Sequence, residues 1–183
     1  MRNAKVQKLV LSAMFLAIGM VLPFLTGQIR EIGNMLLPMH LPVMLCGLLC
    51  GWQYGLAVGF ITPLLRSVTF GMPLLYPAAI SMAFELATYG LMLGLLFGRA
   101  RWKCLRRLYF SLLVAMLCGR LVWGAVQCLL LGLGGFSLQM FWAGAMLNAI
   151  PGILLQLILI PAIMLLLRRT HRMPLRRKEK QGE

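Results

Sequence analysis

The stretch LVWGAVQCLLLGLGGFSLQMFWAGAMLNAIPGILLQLILIPAIMLLL, residues 121–167, contains no Asp, Glu, Lys or Arg. A helix that crosses a bilayer needs about 20 mostly apolar residues, so this stretch is long enough for two crossings. Residues 9–29, 32–65 and 67–84 are further runs without a charged residue. Because no run alternates polar and apolar residues as a membrane β-barrel strand does, the sequence predicts an all-α integral membrane protein.

The composition supports a membrane location over a soluble fold. Hydrophobic residues make up 61% of the chain and charged residues 12%. Soluble domains have about 45–50% apolar and about 25% charged residues, so a soluble fold could not bury this much apolar surface. The net charge of +14 would also fit a nucleic-acid-binding protein, but the basic residues flank apolar segments, which favours a role in membrane topology.

Most of the 18 Lys and Arg residues lie in three clusters beside apolar segments. Basic residues next to membrane spans mark the cytoplasmic side, where they contact anionic lipid. If all three clusters share that side, an even number of spans separates them: four between the first two clusters and two between the last two. The prediction is six transmembrane helices with short loops and both termini in the cytoplasm. The clusters are Arg2, Lys5 and Lys8; Arg99, Arg101, Lys103, Arg106 and Arg107; and Arg168, Arg169, Arg172, Arg176, Arg177, Lys178 and Lys180.

Turn residues and charges place the ends of the predicted helices. Residues 26–38, with Arg30 and Glu31, form a predicted external loop, and residues 98–107 form a cytoplasmic loop. Residues 1–169 are expected to form one membrane domain, and residues 170–183 a disordered basic tail in the cytoplasm. The predicted helices are residues 6–25, 39–50, 53–68, 76–97, 108–131 and 140–167.

Motifs for catalysis and nucleotide binding are missing from the sequence. It has no GxxxxGK[ST], HExxH or GxSxG pattern, and only two His and four acidic residues, so we expect neither an enzyme nor a bound cofactor or metal. The cysteines form no CxxC pair and are interpreted as small packing residues. They are Cys46, Cys50, Cys104, Cys118 and Cys128.

Arg120, near the middle of predicted helix 5, is the strongest functional candidate. A charge within a span is costly in lipid and is a functional candidate by default. Arg120 shares a helical face with Trp123 and Gln127, at spacings of three and seven residues. Polar and aromatic groups that converge inside an apolar bundle suit a small-molecule pocket, so we predict that Arg120 contacts a ligand.

Glu85, near the middle of predicted helix 4, shares a face with Tyr89. Two interpretations stay open for Glu85: it contacts the ligand, or it pairs with Arg66 or Arg120 to stabilise helix packing. Arg66, near the outer end of predicted helix 3, either contacts the ligand or extends to the outer headgroups.

Other polar residues are weaker candidates. His40, near the outer end of predicted helix 2, is either a hydrogen-bonded packing residue or a ligand contact. Asn148 and Gln156 are eight residues apart and share one face of predicted helix 6. They would add polar groups to the same ligand pocket.

Pairs of small residues at four-residue spacing occur on three predicted helices. Such pairs let helices approach closely, and packing within the fold is the simplest interpretation for all of them. The pairs are Ala13 and Ala17, Gly55 and Gly59, and Gly90 and Gly94.

Several short motifs occur along the six predicted helices and the segments between them. They are HLPVMLCG at 40–47, GWQYG at 51–55, GFITP at 59–63, GMP at 71–73, FELATYG at 84–90, CGR at 118–120 and NAIPG at 148–152. This arrangement resembles the substrate-binding S component of energy-coupling factor (ECF) transporters over about residues 6–168. Chain length, six helices and cytoplasmic ends agree with that resemblance.

The resemblance implies a division of labour in a bacterial cell membrane. An S component captures a vitamin or similar micronutrient, while a membrane coupling subunit and two ATPases supply the energy, so ATP is not bound by this chain. The family's pocket lies in the outer half, between helices 4 to 6 and the loop after helix 1. Its small-residue pair on helix 1 docks onto the coupling subunit, and Ala13 and Ala17 match that pattern.

The cargo remains open, because different vitamins have different pockets. Two arginines and one glutamate suggest an anionic or zwitterionic cargo, such as pantothenate, a pyridoxal-type vitamer or a nucleobase derivative. Two other classes stay possible: a membrane assembly subunit with structural internal charges, and a small secondary transporter. The predicted substrate-binding residues are Arg120, Glu85, Arg66, Trp123, Tyr89, Asn148 and His40.

Overall fold

The computed structural model describes residues 2–26, 38–98, 105–135 and 150–169. The described residues form six α-helices, with a 3-10 turn at Leu22–Thr26 after the first and a π-helical turn at Leu75–Ala79 before the fourth. The helices are α1 (Arg2–Val21), α2 (His40–Cys50), α3 (Trp52–Phe70), α4 (Ile80–Gly98), α5 (Leu105–Gly135) and α6 (Ile150–Arg169).

These helices match the predicted ones closely where the structure describes them. Gly51, with φ of 104°, is the single residue between α2 and α3, which agrees with the break predicted between helices 39–50 and 53–68. Gly71 ends α3 in a left-handed conformation, and Gly132 interrupts α5 where its end was predicted. Most of the external loop, residues 99–104 of the cytoplasmic loop, the start of predicted helix 6 and the tail lie outside the described residues.

Helix α4 lies at the centre of the bundle. It packs against α2, α3 and α5, while α1 covers α2 and α3, and α6 lies against α5 and α2. Helix α2 is buried on nearly all sides, as expected for a short helix that is apolar all round. Core side chains come from several helices, including Met44, Leu86, Leu93, Leu112 and Ile160.

Glycines allow α2, α3 and α4 to meet backbone to backbone. A Cβ atom added at Gly47 would lie 2.6 Å from the carbonyl oxygen of Gly90, and one at Gly90 would lie 2.2 Å from that of Gly55. Each of these separations is far shorter than a van der Waals contact, so a side chain at any of these positions would push two helices apart.

The remaining members of the two predicted glycine pairs lie in contacts of the same kind. A Cβ at Gly59 would lie 2.4 Å from the Leu86 oxygen, and one at Gly94 would lie 2.3 Å from Cα of Trp52. Both contacts join α3 to α4. The predicted role of the glycine pairs of α3 and α4 in close packing is therefore confirmed.

Four helical stretches among the described residues are long and apolar enough to cross a membrane. Helix α2 has 11 residues and is about 16 Å long at 1.5 Å per residue, against a hydrocarbon core of about 30 Å. Helix α3 has 19 residues but carries several polar side chains. The structure thus supports a multi-pass helical protein, while six spans and cytoplasmic termini stay predictions. The four stretches are Ala4–Phe24, Leu75–Gly98, Leu105–Gly132 and Ile150–Leu167.

Candidate functional site

A buried carboxylate, Glu85 of α4, lies at the centre of a group of polar side chains. Its Oε1 atom accepts a hydrogen bond of 2.8 Å from the hydroxyl of Tyr89. The same oxygen lies 3.1 Å from Nη1 of Arg120 and 3.6 Å from Nε2 of His40. Three helices thus direct polar groups at one oxygen. We call His40, Glu85, Tyr89 and Arg120 the Glu85 cluster.

Helix geometry explains how the cluster assembles. Glu85 and Tyr89 are four residues apart on α4, so they lie one turn apart on the same face. His40 is the first residue of α2, and its ring centroid lies 5.4 Å from that of Tyr89. Arg120 comes from α5 and is 7% exposed, while Glu85 is 1% exposed. The ion pair between Glu85 and Arg120 is therefore buried between α4 and α5.

Gly119 provides the space in which the Tyr89 ring lies. A Cβ atom at position 119 would lie 2.1 Å from Cε1 of Tyr89, far inside van der Waals contact. The absence of a side chain at this position lets α5 approach α4 closely. Arg120, the next residue, is thereby placed within reach of Glu85.

The cluster contains buried nitrogen atoms that lack a hydrogen-bond partner among the described residues. They are Nε and Nη2 of Arg120 and both ring nitrogens of His40. The 3.6 Å between His40 and Glu85 exceeds hydrogen-bond length, although it allows an ion pair if the histidine is protonated. A buried unpaired donor costs about 1–3 kcal/mol, and more if it is charged. These nitrogen atoms of the cluster are therefore available for hydrogen bonds to a bound molecule.

Two glutamines carry further unpaired atoms on the neighbouring helices. Oε1 of Gln127, two turns along α5 from Arg120, has no partner among the described residues, and neither has Nε2 of the buried Gln156 on α6. Trp123 is half-buried on α5. Asn148 lies outside the described residues, so its predicted place beside Gln156 stays a prediction.

Comparison with known families identifies the chain. The family model for the substrate-specific component of ECF transporters matches residues 7–166. The chain belongs to this family. No curated protein and no solved structure matches it. The family match confirms the resemblance found in the motifs, and it identifies a substrate-binding subunit of a transporter rather than an enzyme.

In this S component, Arg66 joins α3 to the end of α1. Its Nη1 atom donates a hydrogen bond to the carbonyl of Met20, and its guanidinium lies 5.0 Å from the ring centroid of Phe24 and 5.4 Å from that of Phe70. Arg66 is 3% exposed, so it does not extend outward as a snorkelling arginine does. The structure does not bring Arg66 into the Glu85 cluster.

Ala13 and Ala17 are exposed on α1. The buried residues of α1 include Ser12, Phe15 and Gly19, which lie on the opposite side of the helix. The alanine pair therefore differs from the glycine pairs of α3 and α4. The alanine pair does not pack within this S component. The prediction that Ala13 and Ala17 serve packing within the fold is therefore wrong.

Sequence reasoning identifies the charged members of the cluster but misses two relationships. Gly119 belongs to the CGR motif, but the sequence does not predict its contact with Tyr89. His40 stands alone in the sequence because its neighbours come from α4, more than forty residues away. A glycine directly before an intramembrane arginine is the available indication that two helices meet closely there.

Proposed function

We propose that this S component captures a vitamin or related micronutrient outside a bacterial cell and delivers it with a shared ATPase module. The observation that carries the proposal is the buried Arg120, which has one nitrogen beside Glu85 and two without a partner among the described residues. An intramembrane arginine is costly. A bound group of the cargo that accepts its hydrogen bonds would offset part of that cost.

The proposed pocket surrounds the Glu85 cluster. Tyr89 and His40 border it from α4 and α2, and Trp123 would contribute an aromatic surface from α5. Asn148 remains a proposed contact from the segment before α6. Arg66 is left out of the proposed pocket because its contacts are with α1 and with two phenylalanine rings.

The charges of the site support an anionic or zwitterionic cargo. Arg120 provides a positive charge with unused donors, and a charge-assisted hydrogen bond to an anionic group is about twice as strong as a neutral one. Pantothenate, a pyridoxal-type vitamer and a nucleobase derivative fit this description.

Transport would require partner proteins. The chain has no phosphate-binding GxxxxGK[ST] motif, so ATP would be bound by two ATPase subunits that act through a membrane coupling subunit. The exposed pair Ala13 and Ala17 is the proposed docking point, because small residues allow another helix to approach closely. In the proposed topology six spans place both termini and residues 98–107 in the cytoplasm.

Mass spectrometry of the small molecules that co-purify with the protein tests the proposal. The protein is purified in detergent and denatured, and the released molecules are compared with those from an Arg120→Gln variant purified in parallel. We expect one vitamin-like compound that is enriched in the wild type and depleted in the variant. A wild-type protein that carries no such compound, and whose expression supports no uptake that depends on partner ATPases, would contradict the proposal.

A further inference from the structure

The three nitrogen atoms of the Arg120 guanidinium differ in their contacts. Nη1 lies 3.1 Å from Oε1 of Glu85, whereas Nε and Nη2 have no partner among the described residues. In a guanidinium, the Nε–H bond and one N–H bond of Nη2 point in the same direction and form the side-on edge of the fork. The unused nitrogen atoms are therefore one complete edge, which can make two parallel hydrogen bonds to one planar group.

Three residues hold this edge in place. Glu85 fixes Nη1, and the Tyr89 hydroxyl donates to the same Glu85 oxygen at 2.8 Å, which restrains the carboxylate. Gly119 permits the approach of α5 that brings Arg120 to this position. A preorganised edge binds its partner with a smaller loss of side-chain freedom.

We infer that the side-on edge of Arg120 binds one carboxylate group of the cargo, while Glu85 holds Nη1 of the same guanidinium. This inference rests on the proposed function and narrows the cargo from anionic or zwitterionic molecules to carboxylates. A carboxylate has two coplanar oxygens that match the two parallel donors. The exchange of Arg for Lys at such a site removes the planar fork while it keeps the charge.

The charge balance favours a carboxylate over a phosphate dianion. Glu85 already balances the positive charge of Arg120. A carboxylate would therefore add one negative charge to the buried site and a phosphate dianion would add two, and each buried charge without a partner is strongly unfavourable.

The test uses acetate and acetamide as probes, because they have nearly the same shape and differ in charge. Thermal unfolding of the purified protein in detergent is followed at rising probe concentration, with sodium chloride added to keep the ionic strength constant. We expect acetate to raise the Tm by about 2–4 °C at a concentration several times its Kd. Acetamide should raise it by less than about 1 °C.

Two variants assign the effect to the edge of Arg120. In Arg120→Lys the charge is kept and the edge is lost, so the acetate shift should disappear. In Arg107→Lys, an exposed arginine on the same helix is exchanged in the same way, and the shift should persist. Equal shifts with acetate and acetamide, no shift with either, or an undiminished acetate shift in Arg120→Lys would overturn the inference. If Arg120→Lys does not fold, Arg120→Gln takes its place, and the acetate shift should disappear in it as well.

Failure of this inference differs from failure of the proposed function. A co-purified vitamin-like cargo without a carboxylate would leave the proposed function intact and overturn the carboxylate site. An acetate shift that requires Arg120, in a protein that carries no cargo and supports no uptake, would keep the carboxylate site and overturn the transport role.

Discussion

Gly119 of α5 packs directly against Tyr89 of α4. The ring of the tyrosine lies where a side chain at position 119 would be. The separation of 2.1 Å between a Cβ atom added at Gly119 and Cε1 of Tyr89 leaves no room for even a methyl group. Tyr89 in turn donates to Glu85, which lies beside Arg120. A residue without a side chain thus supports the position of the central ion pair.

The first prediction is that Gly119→Ala destabilises the protein and weakens ligand binding. The added methyl group must displace Tyr89 or separate the helices, and overpacking of this kind costs about 1–3 kcal/mol. Thermal unfolding and ligand titration of the purified protein would measure both effects. Gly98→Ala is the matched control, because a Cβ atom at position 98 meets no atom within 4 Å. Equal behaviour of the two variants would mean that the contact at Gly119 relaxes without consequence.

Arg120→Gln should reduce affinity for the cargo at least tenfold. Hydrogen bonds to a charged group contribute about 1.5–3 kcal/mol, which corresponds to roughly ten- to a hundredfold in Kd. Isothermal titration with the cargo identified by mass spectrometry provides the measurement, and Arg107→Gln on the same helix is the control. Unchanged affinity in a stable Arg120→Gln protein would assign Arg120 to a purely structural ion pair.

Glu85→Gln should destabilise the protein more than the double variant Glu85→Gln with Arg120→Gln. Removal of one partner leaves the other charge buried and unpaired, which costs about 3–5 kcal/mol, whereas the double variant removes both charges. A double-mutant cycle on unfolding in detergent gives the coupling energy. Additive effects of the two substitutions would show that the contact of 3.1 Å contributes little to stability.

Replacement of both Ala13 and Ala17 by Leu should lower transport while cargo binding by the isolated protein persists. The two larger side chains would obstruct a partner helix at an exposed part of α1 without entering the bundle. Uptake in cells with the complete transporter and binding by the purified subunit are measured side by side. Val10→Leu with Ile18→Leu changes exposed residues of the same helix with little change in volume. Normal transport by the alanine double variant would place the docking surface elsewhere.

The topology predicts that position 74 faces outside and position 101 faces the cytoplasm. Leu74 is 56% exposed in the segment between α3 and α4, and residue 101 belongs to the basic cluster that marks the cytoplasmic side. In a variant without native cysteines, an impermeant thiol reagent added to intact cells should label Leu74→Cys and not Arg101→Cys. Labelling of Arg101→Cys would contradict the predicted cytoplasmic position of residues 98–107.

The ends of the helices could be predicted from the sequence because they depend on local chemistry. Gly51, Gly71 and Gly132 interrupt apolar stretches, and each has a positive φ in the structure. The lengths of α2 and α3 as membrane spans were harder to predict, since an uncharged run does not show how much of it is helical or how deep it lies.

The residues of the site could be predicted more readily than their partners. Charged residues inside apolar helices stand out in the sequence, so Arg120, Glu85 and Arg66 were all found. The sequence left open whether Arg66 or Arg120 pairs with Glu85, because that choice depends on the arrangement of α3, α4 and α5. It also gave no indication that the rings of Phe24 and Phe70 lie beside Arg66, since these contacts join distant parts of the chain.

The glycine contacts of α2, α3 and α4 hold the backbones of these three helices directly against one another. Where backbones touch, as at Gly47, Gly55 and Gly90, no flexible side chain can absorb a sliding or rotating movement. His40, Glu85 and Tyr89 all belong to this group of helices, whereas Arg120 belongs to α5. The ion pair between Glu85 and Arg120 is therefore a polar link between the three closely packed helices and α5.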